Sequence, residues 1–276
     1  MNSTVFFEKL LSELKSNTRL QGYYRFLQSK KLFQFRKLYY MQRLSYIEKK
    51  ITKPNARIWD VGCGYGSTGI FLALNGHKVY GNTLEYYFDE IPTRLKYWKQ
   101  FGKLDELKLD YTNLFDSPPQ EKFDYIIVQD TLHHLEPIDE AIDILKSHLE
   151  PGGEIIVVDE NGRNLIQRTK LYLQRGNKRI IEIYDERLKK TILLGNENTR
   201  SLNKWERIIA KHGLKVKSES VEYNRIYPPF LYKNDTDVEV QRILEKEQKL
   251  VHNKLLREYL FFGLSFIVSE EESRDI

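Results

Sequence analysis

The run Asp60-Val61-Gly62-Cys63-Gly64-Tyr65-Gly66 places three glycines at alternate positions directly after a short apolar segment. Glycine has no Cβ, so such a turn bends sharply and lets backbone lie against a ligand. The spacing G-x-G-x-G differs from the G-x-G-x-x-G of nicotinamide-binding turns, and alone it says little. Its company says more. Glu85 follows about 20 residues later, the interval at which an acid can accept both hydroxyls of a ribose. Thr83 and Asp89 stand close enough to take that part instead. Asp110, with Tyr111 beside it, ends another apolar run, where a carboxylate can accept from an adenine amino group. Together these residues predict a site for an adenosine-bearing ligand.

A second group is Asp130-Thr131-Leu132-His133-His134-Leu135. It leaves an apolar run at 125–129, and ligands of open α/β sheets bind at the carboxyl ends of the strands. Imidazole titrates near neutrality, so His133 or His134 could act as a general base, with His133 the preferred of the two. A purely structural histidine at this turn explains the sequence as well. Cys63, small and inside the glycine turn, reads as a packing residue rather than a nucleophile. Tyr23, Tyr24, Arg225, Tyr227 and Phe230 are candidates for a substrate pocket, with ordinary packing an equal alternative. No Cys/His spacing points to a metal site.

The elements that must position these groups follow from periodicity. Phe6, Phe7, Leu10, Leu11 and Leu14 recur at helical spacing, and a longer helical pattern runs from Tyr23 to Ile47 before Pro54-Asn55 breaks it. Strands are then predicted at 57–61, 78–81, 107–109, 125–129 and 154–159, with helices at 68–75 and 139–149 between them. This alternation predicts an α/β protein with a Rossmann-like, mostly parallel seven-stranded sheet and helices on both faces. Runs such as YIIV and IIVV fit burial on both sides. Residues 160–200 read as less regular, with a helical pattern at 163–173. A helix at 201–212, a strand at 214–221, a charged helix at 237–257 and a last strand at 261–268 complete the pattern. The expected organisation is an N-terminal helical extension or lid (1–53), a ligand-binding core (54–221), an insertion capping the site (222–258), and a final core strand with tail (259–276).

In order and spacing, WDVGCGYG, Glu85, LDYTN at Asp110, FDYIIVQDTLHHL and LEPGGEIIVVDE resemble the class I S-adenosylmethionine-dependent methyltransferases, small-molecule type. The resemblance covers roughly 58–159. It implies that Gly62, Cys63 and Gly64 pass beneath the methionine part of S-adenosylmethionine, with Asp60 orienting the loop. It also implies Glu85 at the ribose, Asp110 and Tyr111 at the adenine, and Gln129 and Asp130 at the methionine end. The product would be S-adenosylhomocysteine. A Leu-His pair in O-methyltransferases resembles Leu132-His133, where the histidine serves as base.

Composition narrows the rest. At 276 residues, with 41% apolar and 30% charged residues, the chain suits a globular protein and not a disordered one. No apolar run reaches the roughly 20 residues of a membrane span, and the N-terminus lacks the form of a signal peptide. A single cysteine excludes an internal disulfide and suggests a reducing, cytoplasmic compartment. Residues 1–53 hold 12 Lys/Arg against 3 Asp/Glu, within a chain of net charge +5. That surplus could face nucleic acid, anionic lipid or an acidic substrate, or simply solvate helix faces. No Asn/Asp-Pro-Pro-aromatic motif follows the 125–129 strand, no second cysteine offers a cytosine-directed nucleophile, and no RNA-binding module is appended. The expected reaction is methylation of a small organic acceptor, most simply at oxygen on an aromatic, quinone-like or lipid-like molecule. RNA or protein docked on the basic helices is the alternative acceptor, and a non-catalytic cofactor-binding scaffold is the third reading. Surface contact with a membrane, the oligomeric state and the acceptor's identity stay open.

Overall fold

The computed structural model describes residues 1–228, 231 and 236–271. Three helices open the chain, α1 (Ser3–Ser16), α2 (Thr18–Tyr24) and α3 (Phe33–Lys50). The expected alternation follows, through β1 (Arg57–Val61), α4 (Ser67–Leu74), β2 (Lys78–Thr83), α5 (Ile91–Trp98), β3 (Leu107–Tyr111), β4 (Phe123–Gln129), α6 (Ile138–Ser147) and β5 (Leu149–Glu160). Beyond it come α7 (Leu165–Arg175), β6 (Ile180–Asp185), β7 (Lys190–Gly195), α8 (Leu202–Ala210), β8 (Leu214–Val216), β9 (Glu222–Asn224), α9 (Asp237–Leu250), α10 (Lys254–Leu260) and β10 (Gly263–Glu270).

The sheet order is β3-β2-β1-β4-β5-β10-β8, with β9 also pairing β10. The five strands from β3 to β5 run parallel, and β10 is antiparallel to β5, β8 and β9. Strand order reverses between β1 and β4, which opens a crevice at their carboxyl ends. Because successive strand residues point to opposite faces, each strand feeds two cores. Ile58, Tyr125, Ile127, Ile156 and Val158 join one buried cluster, and Trp59, Val61, Ile126, Val128, Ile155 and Val157 join the other. Trp59, Trp98 and Trp205 are all fully buried.

Two expectations change. The 160–200 segment contains a two-stranded hairpin, β6–β7, separate from the main sheet. The strand expected at 214–221 is broken by a turn at Ser218–Ser220, where the Ser220 hydroxyl accepts from the Ile267 amide at 2.8 Å. The main sheet therefore has eight strands, with β9, at the start of the 222–258 segment, paired to β10. Helix α1 packs into the core. Phe6, Phe7, Leu10 and Leu14 are at most 1% exposed, and Phe6 stacks on Trp98 at 4.4 Å. Glu13 receives two hydrogen bonds from Arg94, at 2.8 and 2.9 Å, and a third from the Trp98 indole at 2.9 Å.

Candidate functional site

A cavity of about 710 Å³ opens where β1, β2 and β4 end. Its floor is the glycine turn. Gly62 and Gly64 have φ of +66° and +57°, a region that L side chains rarely adopt. A Cβ at Gly62 would lie 2.3 Å from the Thr131 hydroxyl oxygen, and one at Gly64 2.7 Å from the Tyr23 hydroxyl. Shape and torsion both demand glycine there. Cys63 lines the cavity, and its Sγ packs toward Gly81. Burial pushes its thiol pKa up, so it is no nucleophile at neutral pH.

Asp60 is 2% exposed, with Oδ2 lacking a hydrogen-bond partner. Burial pushes its pKa up to about 7, against the amide of Gly69. A buried unpaired carboxylate oxygen at the cavity floor suits a cationic or proton-donating ligand group. Glu85 lines the wall beyond β2, and burial raises its pKa against hydrogen bonds from Tyr65 and Tyr23. Thr83 is also in the wall, whereas Asp89 is exposed and pairs with Arg187.

Asp110 and Tyr111 end β3 as the sequence suggested but lie outside the cavity lining. Asp110 lies on the edge strand β3 and pairs at 2.7 Å with Lys108, its neighbour on the same strand face. The Tyr111 hydroxyl donates to Asp185 at 2.6 Å, tying the β6–β7 hairpin to the core. Thr112, Asn113, Leu114 and Phe115 line the cavity in their place.

Gln129 and Asp130 close the β4 side. Gln129 accepts from the Thr68 hydroxyl at 3.0 Å. Asp130 holds φ +50° and forms an ion pair with Arg43, which, against the cost of burial, keeps its carboxyl below the usual range. The two histidines then part. His133 is 4% exposed and outside the cavity lining, its Nδ1 bonded to buried Asp159 and its Nε2 3.8 Å from Glu197. Burial opposes charge on the ring, but Asp159 and Glu197 outweigh it and lift its pKa to about 9. A ring protonated at neutral pH cannot accept a proton, so the preference for His133 as base is corrected. His134 lines the cavity, and its Nδ1 donates to the Gly195 carbonyl at 2.8 Å. That bond fixes the neutral tautomer with Nε2 as acceptor. His133, His134 and Glu197 each bring a possible ligand atom within 4.8 Å of the others. Of the three, His133 and Glu197 stand 3.8 Å apart, and His133 is also bonded to Asp159.

Tyr23, Tyr24 and Arg225 line the cavity, while Tyr227 packs on the Phe35, Tyr39 and Ile243 cluster. Phe230 lies outside the described residues. Missed in the sequence were Arg36, Tyr39, Tyr40 and Arg43, which line one side, and Ile192, Leu193 and Leu194 of the hairpin, which line another. The first four had a signal, since their i, i+3, i+4, i+7 spacing marks one face of α3.

Comparison with known proteins places the chain. Residues 32–219 match the family model of a methyltransferase domain. The chain belongs to the Rossmann-like S-adenosylmethionine-dependent methyltransferases. Among curated proteins it is similar to a histidine protein methyltransferase 1 homolog of Dictyostelium discoideum, 27% identical over 39% of this chain and 36% of that protein. It is also similar to a ubiquinone biosynthesis O-methyltransferase of Xylella fastidiosa (strain M23), 30% identical over 41% of this chain and 45% of that one. The matches thus span less than half of either relative. The fold is similar to geranyl diphosphate C-methyltransferase from Streptomyces coelicolor A3(2), with a TM-score of 0.57 at 11% identity, covering 87% of this chain and 86% of that one. No helix among the described residues is long and apolar enough to cross a membrane.

Proposed function

We propose that the protein transfers the methyl group of S-adenosylmethionine to a hydroxyl oxygen of a small, largely apolar acceptor. Gly62, Cys63 and Gly64, with Asp60, hold the methionine end, Glu85 takes the ribose, and the 112–115 loop flanks the adenine. Gln129 and Asp130 border the methionine end from β4. The acceptor sits among Tyr39, Tyr40, Ile192 and Leu194. Its oxygen attacks the methyl carbon as the C–S bond breaks, S-adenosylhomocysteine leaves, and the hydroxyl proton passes to Nε2 of His134. Alignment and exclusion of water supply most of the rate, and the base adds to them.

The observation that carries this reading is His134, the cavity-lining histidine whose tautomer is fixed with an acceptor nitrogen. The similarity to a quinone-pathway O-methyltransferase supports an oxygen acceptor, although the other curated relative is named for a protein acceptor. The test is mass spectrometry of products after incubation with S-adenosylmethionine and a panel of phenols, catechols, hydroquinones and amines. Methyl ethers of the hydroxylated compounds are expected. Methylation confined to amines, or to added RNA or protein, would overturn the oxygen assignment, and absence of S-adenosylhomocysteine binding would overturn the site.

A further inference from the structure

Helix α7 points its apolar face outward. Leu171 is its one buried residue among those described, while Leu165, Ile166, Tyr172 and Leu173 are 49%, 40%, 62% and 79% exposed. At about 100° per residue, Leu165, Ile166, Thr169 and Leu173 form one stripe on the side away from Leu171. The hairpin that follows exposes Ile180, Ile183, Tyr184 and Leu193. Around these apolar groups the segment is strongly basic. Residues 163–190 hold nine Lys/Arg against three Asp/Glu, a local +6 in a chain of +5 overall. Arg168, Lys170 and Lys178 are exposed, with no carboxylate partner among the described residues. Of the three acids, Asp185 is buried and bonded to the Tyr111 hydroxyl, which leaves Glu182 and Glu186 facing solvent.

We propose that α7 and the hairpin form a docking surface for an anionic lipid membrane, with the Leu165–Leu173 stripe in the headgroup layer and the flanking cations on lipid phosphates. An outward apolar stripe edged by Lys and Arg is the pattern of helices that lie in a bilayer interface. Each cation near an anionic leaflet adds to binding, and the two contributions reinforce one another. Charge argues against the competing occupants. A second copy would bring another +6 against the first, and a nucleic-acid backbone has no use for six exposed aliphatic side chains. Leu193 also links this surface to the cavity, since it is both 42% exposed and part of the cavity wall. The proposal stands on the surface alone and does not require the oxygen assignment above.

The test is co-sedimentation of the full chain with large vesicles of phosphatidylcholine alone or mixed with phosphatidylglycerol. Binding is expected to the mixed vesicles, to be at least about tenfold weaker on phosphatidylcholine alone, and to fall as salt is raised. The double variant Ile166→Glu/Leu173→Glu should lose binding by at least about tenfold while keeping its affinity for S-adenosylhomocysteine, which reports that the fold is intact. A variant that sediments like the parent overturns the proposal, as does failure of the parent to bind anionic vesicles. So does light scattering that shows a dimer dissociated by the two substitutions, since the face would then belong to a second copy.

Discussion

His133 and Asp159 form a buried ion pair at the carboxyl end of the sheet, with side chains 4% and 0% exposed. The histidine pKa is raised from 6.5 to about 9, so the folded protein binds this proton more tightly than the unfolded chain. The stability it contributes is fully present below pH 6.5 and lost as pH rises through 9. Its size at neutral or lower pH is about 3 kcal/mol. Denaturation midpoints of the parent should therefore decline from pH 6.5 to 9, and those of His133→Gln should be lower but flatter over that window. Parallel declines in both would remove the pair as the cause.

Chemistry is assigned to the neighbouring ring. His134→Ala should lower kcat roughly 10²–10⁴-fold on a hydroxyl acceptor, with S-adenosylhomocysteine affinity barely changed. If activity persists with an unshifted KM, no base is used and alignment alone suffices.

The glycine turn tolerates no side chain. Gly64→Val must hold a branched residue at φ +57° and place its Cβ against the Tyr23 hydroxyl. Titration calorimetry should show cofactor binding lost, with circular dichroism still reporting a folded protein. Binding at the parent's affinity would put the cofactor elsewhere.

Glu85→Ala removes the acceptor assigned to the ribose. A charge-assisted hydrogen bond is worth about 1.5–3 kcal/mol, so affinity for S-adenosylhomocysteine should fall about ten- to a hundredfold. An unchanged affinity in the same titration would move the role to Thr83, which also lines the wall.

The α1–α5 junction rests on Glu13 and Arg94, 4% and 0% exposed. Removing one partner leaves a buried charge alone, so Glu13→Ala should cost about 3–5 kcal/mol in urea denaturation. A loss within experimental scatter would mean that Phe6 and Leu10 alone hold the helix.

What the sequence disclosed was local in origin. The glycine turn, the strand at 125–129 and the αβ alternation are written in neighbouring residues, and the structure keeps them all. Asp110 is different, because a strand carboxylate pairs with whatever shares its face, and Lys108 two residues earlier does. The hairpin stayed hidden because Glu182, Asp185, Glu186 and Lys189 interrupt its apolar runs, and a two-stranded ribbon needs no continuous core face. Choosing between His133 and His134 depended on a 3-10 turn that sends one ring toward Asp159 and the next toward the cavity. The spacing of Arg43 marks its face of α3, but its pairing with Asp130 was not legible, since that partner lies 87 residues away.

The clasp of Glu13 by Arg94 and Trp98 also has a bearing on synthesis. Helix α1 leaves the ribosome before α5, whose Arg94 and Trp98 cover Phe6 and satisfy Glu13 from some 80 residues later in the chain. Contacts so distant in sequence close slowly, and an amphipathic helix waiting for them shows its apolar face meanwhile. Helix α1 is thus secured only once α5 has been made, and until then it is a natural target of chaperones.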